Sequence, residues 1–187
     1  MKKTIQLTLL FAALFFTVIA TTAQAQSKPA AQARYKDVVG DNPSAEADMK
    51  VVSNWVRSLT AGLTAGDLDK AKMLMADNYK GYGPSPNDSS TTEQTISAWQ
   101  QNYKTTSNRK VSFVTQTFRV KTGDLKGNWV SLWGDYSFTQ NGKDVKFPFQ
   151  YTARVTNGKI DTDRIYYDRM YMLQTLGYKV TPPETNK

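Results

Sequence analysis

The amino-acid sequence predicts an α+β fold in which helices come first and an antiparallel sheet follows. Before Asn108, apolar residues recur at spacings of three and four, which is the period of an amphipathic helix. After Asn108, β-branched and aromatic residues alternate with polar ones, which is the period of a strand. Asn141-Gly142 and Asn157-Gly158 interrupt this alternation and are typical of two-residue hairpin turns. Helices followed by hairpins indicate the α+β class.

The N-terminal segment 1–25 is predicted to be a cleaved export signal. Lys2 and Lys3 precede a long uncharged run, and Ala23-Gln24-Ala25 offers a small-residue cleavage site. An uncleaved membrane anchor is the alternative, but the apolar run is short for a bilayer. We therefore expect a periplasmic or secreted protein with no stable membrane anchor after cleavage.

The chain contains no cysteine and no histidine. These absences exclude a lipid-anchored lipoprotein, disulfides, thiolate metal sites, Ser-His-Asp catalysis and the usual zinc sites. Acid–base chemistry must therefore use Asp, Glu, Tyr or Lys, and we expect no metal and no cofactor. The formal net charge of +8 is spread without a basic run, which together with export argues against a nucleic-acid partner.

The mature chain is about 160 residues long, which suits one domain. Residues 26–45 mix Pro, Ala, Gln and Gly without a period, so they are predicted to be a flexible linker. The domain is expected over residues 46–180, followed by a tail at 181–187. Its three N-terminal helices are predicted from the apolar sets Met49, Val52, Trp55, Val56, Leu59 and Leu63; Leu68, Ala71, Leu74 and Met75; and Ile96, Trp99 and Tyr103.

Two helix starts have their own signals. Asp67 is predicted to cap the second helix, and Ser90 with Glu93 is predicted to form a capping box before the third. The Gly- and Pro-containing segment YKGYGPSPNDSS between these helices is expected to be a loop. The four predicted strands are Lys110–Lys121, Asn128–Thr139, Asp144–Thr156 and Lys159–Tyr167.

The two Asn-Gly turns predict which residues face each other on neighbouring strands. Around the first turn Tyr136 is expected opposite Phe147, and around the second Phe149 is expected opposite Tyr166. Both turns independently assemble one apolar face, which the helices need to cover. Its predicted members are Val130, Leu132, Tyr136, Phe138, Val145, Phe147, Phe149, Tyr151, Ala153, Val155, Ile160 and Tyr166.

The same register places Arg164 and Asp168 on this apolar face, with Asp168 beside Phe147. An opposite-charge pair of Arg154 and Asp161 on the other face supports the register. A shielded carboxylate there is titratable, as a general acid or base requires. Three other outcomes stay open: Asp168 caps the following helix, Asp168 forms an ion pair with Arg164, or a β-bulge moves it to the other face.

The order of motifs resembles a known superfamily. Over residues 46–178 the chain reads helix, AGDLDKAKMLMADNY, a GYGP loop, a TTEQTISAW helix, four strands and NGKIDTDRIYYDRMYMLQTLGY. This is similar to the nuclear transport factor 2-like (NTF2-like) superfamily, specifically its SnoaL-like polyketide cyclase branch. The resemblance implies an NTF2-like, or cystatin-like, cone-shaped barrel. In that fold a strongly curved antiparallel sheet covered by N-terminal helices encloses a hydrophobic pocket.

The resemblance also implies a homodimer through the outer side of the sheet. Trp129 and Trp133 alternate onto that side, where exposed aromatic residues are costly unless a partner or ligand covers them. A dimer interface is therefore the predicted use of these two tryptophans, and a surface ligand platform is the alternative.

In SnoaL-like cyclases the aspartate before the last helix is the acid–base catalyst, and the resemblance gives this role to Asp168. The chain departs from those cyclases because it has no histidine and no Thr-Gly segment in the strands. We expect a domain that binds a small, partly hydrophobic molecule. An acid–base enzyme of the isomerase, cyclase or dehydratase kind and a noncatalytic interaction module both stay open. The predicted ligand-binding residues are Arg164, Tyr82, Trp99, Tyr103, Tyr136, Phe147, Phe149, Tyr151 and Tyr166.

Overall fold

The computed structural model describes residues 35–61, 65–179 and 181. The predicted export signal and the first part of the predicted linker lie outside these residues. The described helices are α1 Tyr35–Val38, α2 Ala45–Thr60, α3 Ala65–Met73, α4 Thr92–Thr105 and α5 Arg169–Thr175. The described strands are β1 Val39–Gly40, β2 Met75–Tyr82, β3 Ser89–Ser90, β4 Ser107–Val120, β5 Gly127–Gln140, β6 Lys143–Thr156 and β7 Lys159–Tyr167.

The strands form one curved sheet in the order β1-β4-β5-β6-β7-β2-β3. Strands β4 to β7 are the predicted antiparallel meander, and β2 adds to it by pairing parallel to β7. Within the described residues β1 and β3 are the two edges, so the sheet is open. The α+β order is confirmed, and the described sheet does not close into the predicted barrel.

Two stretches differ from the sequence predictions. Residues 75–82 were expected to end a helix and enter a loop, but they form β2 because pairing with β7 satisfies their backbone. Residues 35–45 were assigned to a flexible linker. Val39 instead pairs with Val120 across β1 and β4, and Asn42 donates to the buried Asp48 carboxylate at 2.9 Å.

The predicted helix caps are displaced in sequence. Helix α4 begins after Thr91, whose backbone N–H donates to the Gln94 side chain at 2.9 Å in a capping box. The predicted Ser90–Glu93 box is wrong because Ser90 belongs to β3, and its hydroxyl lies 2.8 Å from that of Thr95. Asp67 lies in the first turn of α3 and does not precede the helix.

The register of the β5–β6 hairpin is confirmed along its whole length, including Tyr136 opposite Phe147. The β6–β7 hairpin begins as predicted, with Val155 opposite Ile160, but the next pair is Arg154 with Thr162. Asp161 is therefore an extra residue, a β-bulge, which shifts every later pair by one position.

The bulge exchanges the two faces of β7 beyond Asp161. Asp163 turns toward the helices and is 5 % exposed. The predicted positions of Arg164, Tyr166 and Asp168 on the helix-covered face are therefore wrong. We call the helix-covered face the inner face and the opposite one the outer face.

The inner face and α2 form the hydrophobic core. Val52, Val56 and Leu59 of α2 are almost fully buried in it. All predicted members of the apolar face except Tyr166 are buried there. The functional side chains described next therefore project from the inner face or from α2 into this core.

Candidate functional site

The buried carboxylate of Asp163 is the centre of a polar group inside the core. Its Oδ2 atom accepts a hydrogen bond from the Tyr79 hydroxyl at 2.6 Å and another from the Tyr151 hydroxyl at 2.7 Å. Hydrogen bonds of this length to an ionised acceptor are roughly twice as strong as neutral ones. Two tyrosines therefore hold one carboxylate oxygen in place.

Three neighbouring strands bring these groups together. Strand β7 carries Asp163 between β6, which carries Tyr151, and β2, which carries Tyr79. Gly81 pairs with Asp163 across β2 and β7, and a Cβ atom at this glycine would collide with the Tyr79 hydroxyl. The missing side chain thus leaves the space through which Tyr79 reaches the carboxylate.

Burial controls the protonation of this group. It raises the pKa of the Asp163 carboxyl from 3.8 to about 6, against hydrogen bonds from Tyr79, Tyr151 and the Tyr82 backbone that lower it. Burial and the neighbouring carboxylate raise the pKa of both tyrosine hydroxyls above the usual value. The tyrosines therefore remain proton donors, whereas Asp163 changes its charge close to neutral pH.

Trp55 of α2 covers this group from the helical side. Its indole ring stacks on Tyr151 with centroids 5.1 Å apart and lies 6.5 Å from the ring of Tyr79. The indole Nε1 atom is buried and has no hydrogen-bond partner in the described part of the chain. Trp55 therefore adds an unsatisfied donor to the aromatic wall around Asp163.

A second aromatic cluster lies further along the inner face, around Tyr136. Trp99 and Phe147 meet its ring edge-on, at centroid distances of 6.2 and 5.8 Å. Tyr103 contacts Trp99, and its hydroxyl donates to the Ser58 and Leu59 carbonyls at 2.7 and 3.0 Å. The Tyr136 hydroxyl is buried and has no hydrogen-bond partner among the described residues.

The structure brings together part of the predicted ligand-binding set. Trp99, Tyr103, Tyr136 and Phe147 form the second cluster, and Tyr151 contacts Asp163. Phe149 is buried on β6 between Phe147 and Tyr151.

Three predicted residues point elsewhere. On the outer face the Arg164 guanidinium lies 4.9 Å from the centroid of the Tyr82 ring. Tyr166 is also on that face and is 49 % exposed. These three residues therefore do not reach the core, and the prediction that Arg164 binds a ligand from the apolar face is wrong.

Asp168 is exposed and caps α5, because its Oδ1 atom accepts a hydrogen bond from the Tyr171 backbone N–H at 2.8 Å. This is the capping alternative raised from the sequence. The sequence analysis did not predict a role for Asp163. A register with a bulge at Asp161 puts Ile165 and Tyr167 on the inner face in place of Arg164 and Tyr166, which makes that face more apolar. This difference in polarity was the signal in the sequence that could have identified Asp163.

Two surface depressions lie on the helical side. One of about 400 Å³ is lined by Asn54, Arg57, Ser58, Lys70, Met73 and Leu74, and one of about 540 Å³ is lined by Pro43, Ser44, Ala45, Glu46, Ala47 and Lys50. Neither contains a predicted site residue. Among the described residues, no three acidic side chains are placed to hold a metal ion. None of the described helices is long and apolar enough to cross a bilayer.

No protein-family model matches the chain, and no curated protein matches it by sequence. Solved structures do match. A protein from Jannaschia sp. CCS1, described as a SnoaL-like polyketide cyclase, aligns with a TM-score of 0.59 at 13 % identity, covering 75 % of this chain and 99 % of the other. The described fold is NTF2-like.

Two further structures support this assignment of the fold. A protein of ketosteroid isomerase-like fold from Catenulispora acidiphila, in complex with trimethylamine, aligns with a TM-score of 0.54 at 19 % identity over 71 % of this chain and 98 % of its own. An LEH-like epoxide hydrolase from M. tuberculosis aligns with a TM-score of 0.54 at 16 % identity, covering 72 % of this chain and 92 % of its own. At these identities the likeness concerns the NTF2-like fold alone.

Proposed function

We propose that this protein binds a small, partly apolar molecule between its helices and the inner face of the sheet. Its polar anchor is Asp163 with its two tyrosines, and Asp168 has no part in binding. The proposal retains the SnoaL-like character and the cone-shaped enclosure that the sequence resemblance implies. A mainly apolar site with a few convergent polar groups is the usual form of a small-molecule site.

One observation carries the proposal. The Trp55 Nε1 atom and the Tyr136 hydroxyl are both buried without a hydrogen-bond partner among the described residues. Trp55 belongs to the aromatic wall around Asp163, and Tyr136 belongs to the second cluster on the same inner face. A buried, unsatisfied polar group costs about 1–3 kcal/mol. Polar atoms of a bound molecule would offset this cost, whereas a purely structural core gains nothing from keeping two such groups.

The solved structures of the same fold give general support. One is in complex with trimethylamine, and two others are described as a SnoaL-like polyketide cyclase and an LEH-like epoxide hydrolase. The fold hosts many functions, so it supports a small-molecule site without naming the molecule.

Native mass spectrometry of protein purified from its own source tests the proposal. We expect one small molecule per domain to be retained by the wild type. Trp55→Phe keeps an aromatic ring but removes the N–H donor, so it should retain much less of this molecule. Asp168→Asn is the matched control and should retain as much as the wild type. Equal retention by all three proteins, or no retained molecule in any, would contradict interior binding.

A second function, acid–base catalysis, is favoured by the pKa of about 6 for the Asp163 carboxyl. A group that titrates near the working pH can both take up and release a proton efficiently. Asp163→Asn should then abolish turnover of the retained molecule while leaving its affinity within about threefold. Unchanged turnover would remove Asp163 from the chemistry.

We also propose a homodimer through the outer face. Val114, Trp133 and Tyr166 are 66, 41 and 49 % exposed, and the strand register aligns them in one row with Gln150. Trp129 contributes less than expected, because it is 9 % exposed and its indole N–H donates to the Leu125 carbonyl at 2.7 Å.

Export remains a proposal supported by the sequence of segment 1–25. N-terminal sequencing of the protein from a periplasmic or medium fraction should begin at Gln26. Recovery of the full-length chain from the cytoplasm alone would contradict export.

A further inference from the structure

Two basic side chains flank one tyrosine ring on the outer face of the sheet. The Nζ atom of Lys80 lies 5.5 Å, and the guanidinium carbon of Arg164 4.9 Å, from the centroid of the Tyr82 ring. Tyr82 pairs with Arg164 across β2 and β7, and Lys80 pairs with Thr162, whose hydroxyl donates to the Lys80 carbonyl at 3.1 Å. The parallel pairing of these two strands therefore brings both cations to the same ring.

Neither cation has an acidic partner in the described part of the chain. Both aspartates of β7 are engaged elsewhere, because Asp161 accepts from Arg154 Nε at 2.8 Å and Asp163 faces the core. Lys146, another cation of the outer face, lies 3.2 Å from Asp135. The two charges beside the Tyr82 ring are thus left without the neutralisation that Arg154 and Lys146 receive.

This arrangement is prepared for an anion. Two like charges that contact the same ring repel each other, and an anion between them would offset the repulsion. The Tyr82 ring also orients both side chains through cation–π contacts, so less rotamer freedom is lost when a ligand binds. Guanidinium and ammonium groups offer only hydrogen-bond donors, which an anionic oxygen accepts.

We propose that Lys80 and Arg164 bind a phosphate group on the outer face of the sheet. A phosphate monoester carries a charge of about −1.5 to −2 at neutral pH, which matches two cations better than the single charge of a carboxylate does. Arginine binds phosphate oxygens bidentately, and lysine adds a compact point charge. The formal net charge of +8 attracts such a ligand over a longer range.

The phosphate site is independent of the proposed interior site. Its cations project from the outer face, whereas Asp163 and the aromatic clusters lie on the inner one. Inorganic phosphate, a phosphorylated small molecule and a phosphatidic acid headgroup all present the same chemical group. The experiments below therefore include one probe in solution and one in a membrane.

Nuclear magnetic resonance titration of the ¹⁵N-labelled protein with inorganic phosphate tests the site. Sodium acetate at the same ionic strength and pH 7 is the comparison anion, because it carries one charge. We expect saturable shifts of the backbone amides of Lys80, Tyr82 and Arg164. Phosphate should bind about fivefold more tightly than acetate, a modest ratio because exposed ion pairs are weak.

Variants locate the binding. Lys80→Met and Arg164→Met should each weaken phosphate binding about two- to fivefold, and Arg164→Lys should retain part of it because the charge remains. Lys146→Met is the matched control, since it removes an outer-face cation that already has an acidic partner, and it should leave phosphate affinity unchanged. Circular dichroism checks the fold of every variant, and Lys80→Gln with Arg164→Gln serves if a methionine variant does not fold.

Sedimentation with vesicles distinguishes the two sources of phosphate. Binding to phosphatidylcholine vesicles that contain phosphatidic acid, absent with pure phosphatidylcholine and lost in Arg164→Met, supports a lipid headgroup. Saturable shifts with inorganic phosphate and no sedimentation support a soluble phosphate.

Three results would overturn the phosphate site. They are equal affinity of the wild type for phosphate and acetate, equal phosphate affinity of Lys146→Met and Arg164→Met, and absence of binding to both phosphate and vesicles. None of them bears on the molecule retained in native mass spectrometry, so interior binding is decided separately.

Discussion

The hydroxyl group of Tyr79 lies 2.6 Å from Oδ2 of Asp163, although the two residues are 84 positions apart in the chain. The contact exists because β2 pairs parallel to β7 and because a bulge at Asp161 turns Asp163 inward. It joins β2, a strand that local sequence patterns did not predict, to β7, whose register they predicted incorrectly beyond the bulge. The chemistry of the core depends on this contact.

The stability of the protein should depend on pH through Asp163. The folded carboxyl has a pKa of about 6 and the unfolded one 3.8, so the folded state binds the proton more tightly. The free energy of unfolding contributed by this group is therefore highest below the unfolded pKa. It falls as the pH rises through the folded pKa and then levels off, a change of about 3 kcal/mol.

Urea unfolding at pH 4, 5, 6 and 7 measures this change. Asp163→Asn keeps the shape and an acceptor oxygen but cannot ionise, so it is the matched control that isolates the contribution of Asp163 from those of other acids. We expect the wild type to lose stability relative to this variant across pH 4–6. Parallel pH profiles for the two proteins would mean that Asp163 does not titrate in this window.

Gly81→Ala should be destabilising because the new methyl group meets the Tyr79 hydroxyl. Overpacking of a core typically costs about 1–3 kcal/mol. In a Tyr79→Phe background the colliding oxygen is absent, so the same substitution should cost less than it does in the wild type. A double-mutant cycle by urea unfolding gives the coupling energy between the two sites.

Gly83→Ala is the control for this cycle, since its methyl group would meet the Asp88 side chain. Its cost should be the same in both backgrounds. If Gly81→Ala costs the same with and without the Tyr79 hydroxyl, the glycine does not act by making room for Tyr79.

The β5–β6 register could be predicted from sequence because its turn has strong local signals. Asn141 and Gly142 adopt positive φ angles of 51° and 73°, which few other residues tolerate, and no bulge follows. The second turn has the same geometry at Asn157 and Gly158, yet its register is lost within two residue pairs. Turn chemistry therefore predicts where a hairpin begins and does not exclude a bulge beyond it.

The ion pair used to support the wrong register does exist. Arg154 Nε lies 2.8 Å from Asp161 Oδ1 even though Arg154 pairs with Thr162 in the sheet. The Arg154 side chain reaches the bulged Asp161 although its backbone pairs with Thr162, so this ion pair could not distinguish the two registers. The polarity of the β7 residues was the better criterion for the register. Thr162 and Arg164 suit the outer face, and Ile165 and Tyr167 suit the apolar inner face, which requires the bulge.

The polar site itself could be predicted only in part. The aromatic residues of the inner face followed from alternation, because burial selects them position by position. The contact of Asp163 with Tyr79 could not be predicted, because the parallel pairing of β2 with β7 joins distant segments and has no turn to mark it. Strand β2 also contains Gly81, which weakens any local strand signal.

Asp168→Ala should lower stability without affecting ligand retention. It removes the acceptor for the Tyr171 N–H at the start of α5, and loss of such a cap costs about 0.5–2 kcal/mol. Asp168→Ser keeps a capping oxygen and should cost only a few tenths of a kcal/mol by comparison. Urea unfolding measures both. If Asp168→Ser is as stable as the wild type but retains less ligand, Asp168 contributes to ligand binding.

Trp133→Glu should dissociate the proposed homodimer. Trp133 sits between Val114 on β4 and Gln150 on β6, with Tyr166 next in the row, so a charge there would be buried against the same row of a second copy. Light scattering coupled to size-exclusion chromatography should give a dimer mass for the wild type and a monomer mass for the variant at micromolar concentration.

A charge at a different position of the same face provides the control. Lys146 already forms an ion pair with Asp135 at 3.2 Å, and its side chain is 67 % exposed, so Lys146→Glu changes the charge of the outer face without entering the apolar row.

Fluorescence of the exposed Trp133 should shift to longer wavelength on dilution only if the dimer buries it. A wild type that is monomeric at all concentrations, with no such shift, would show that another partner or none covers this row.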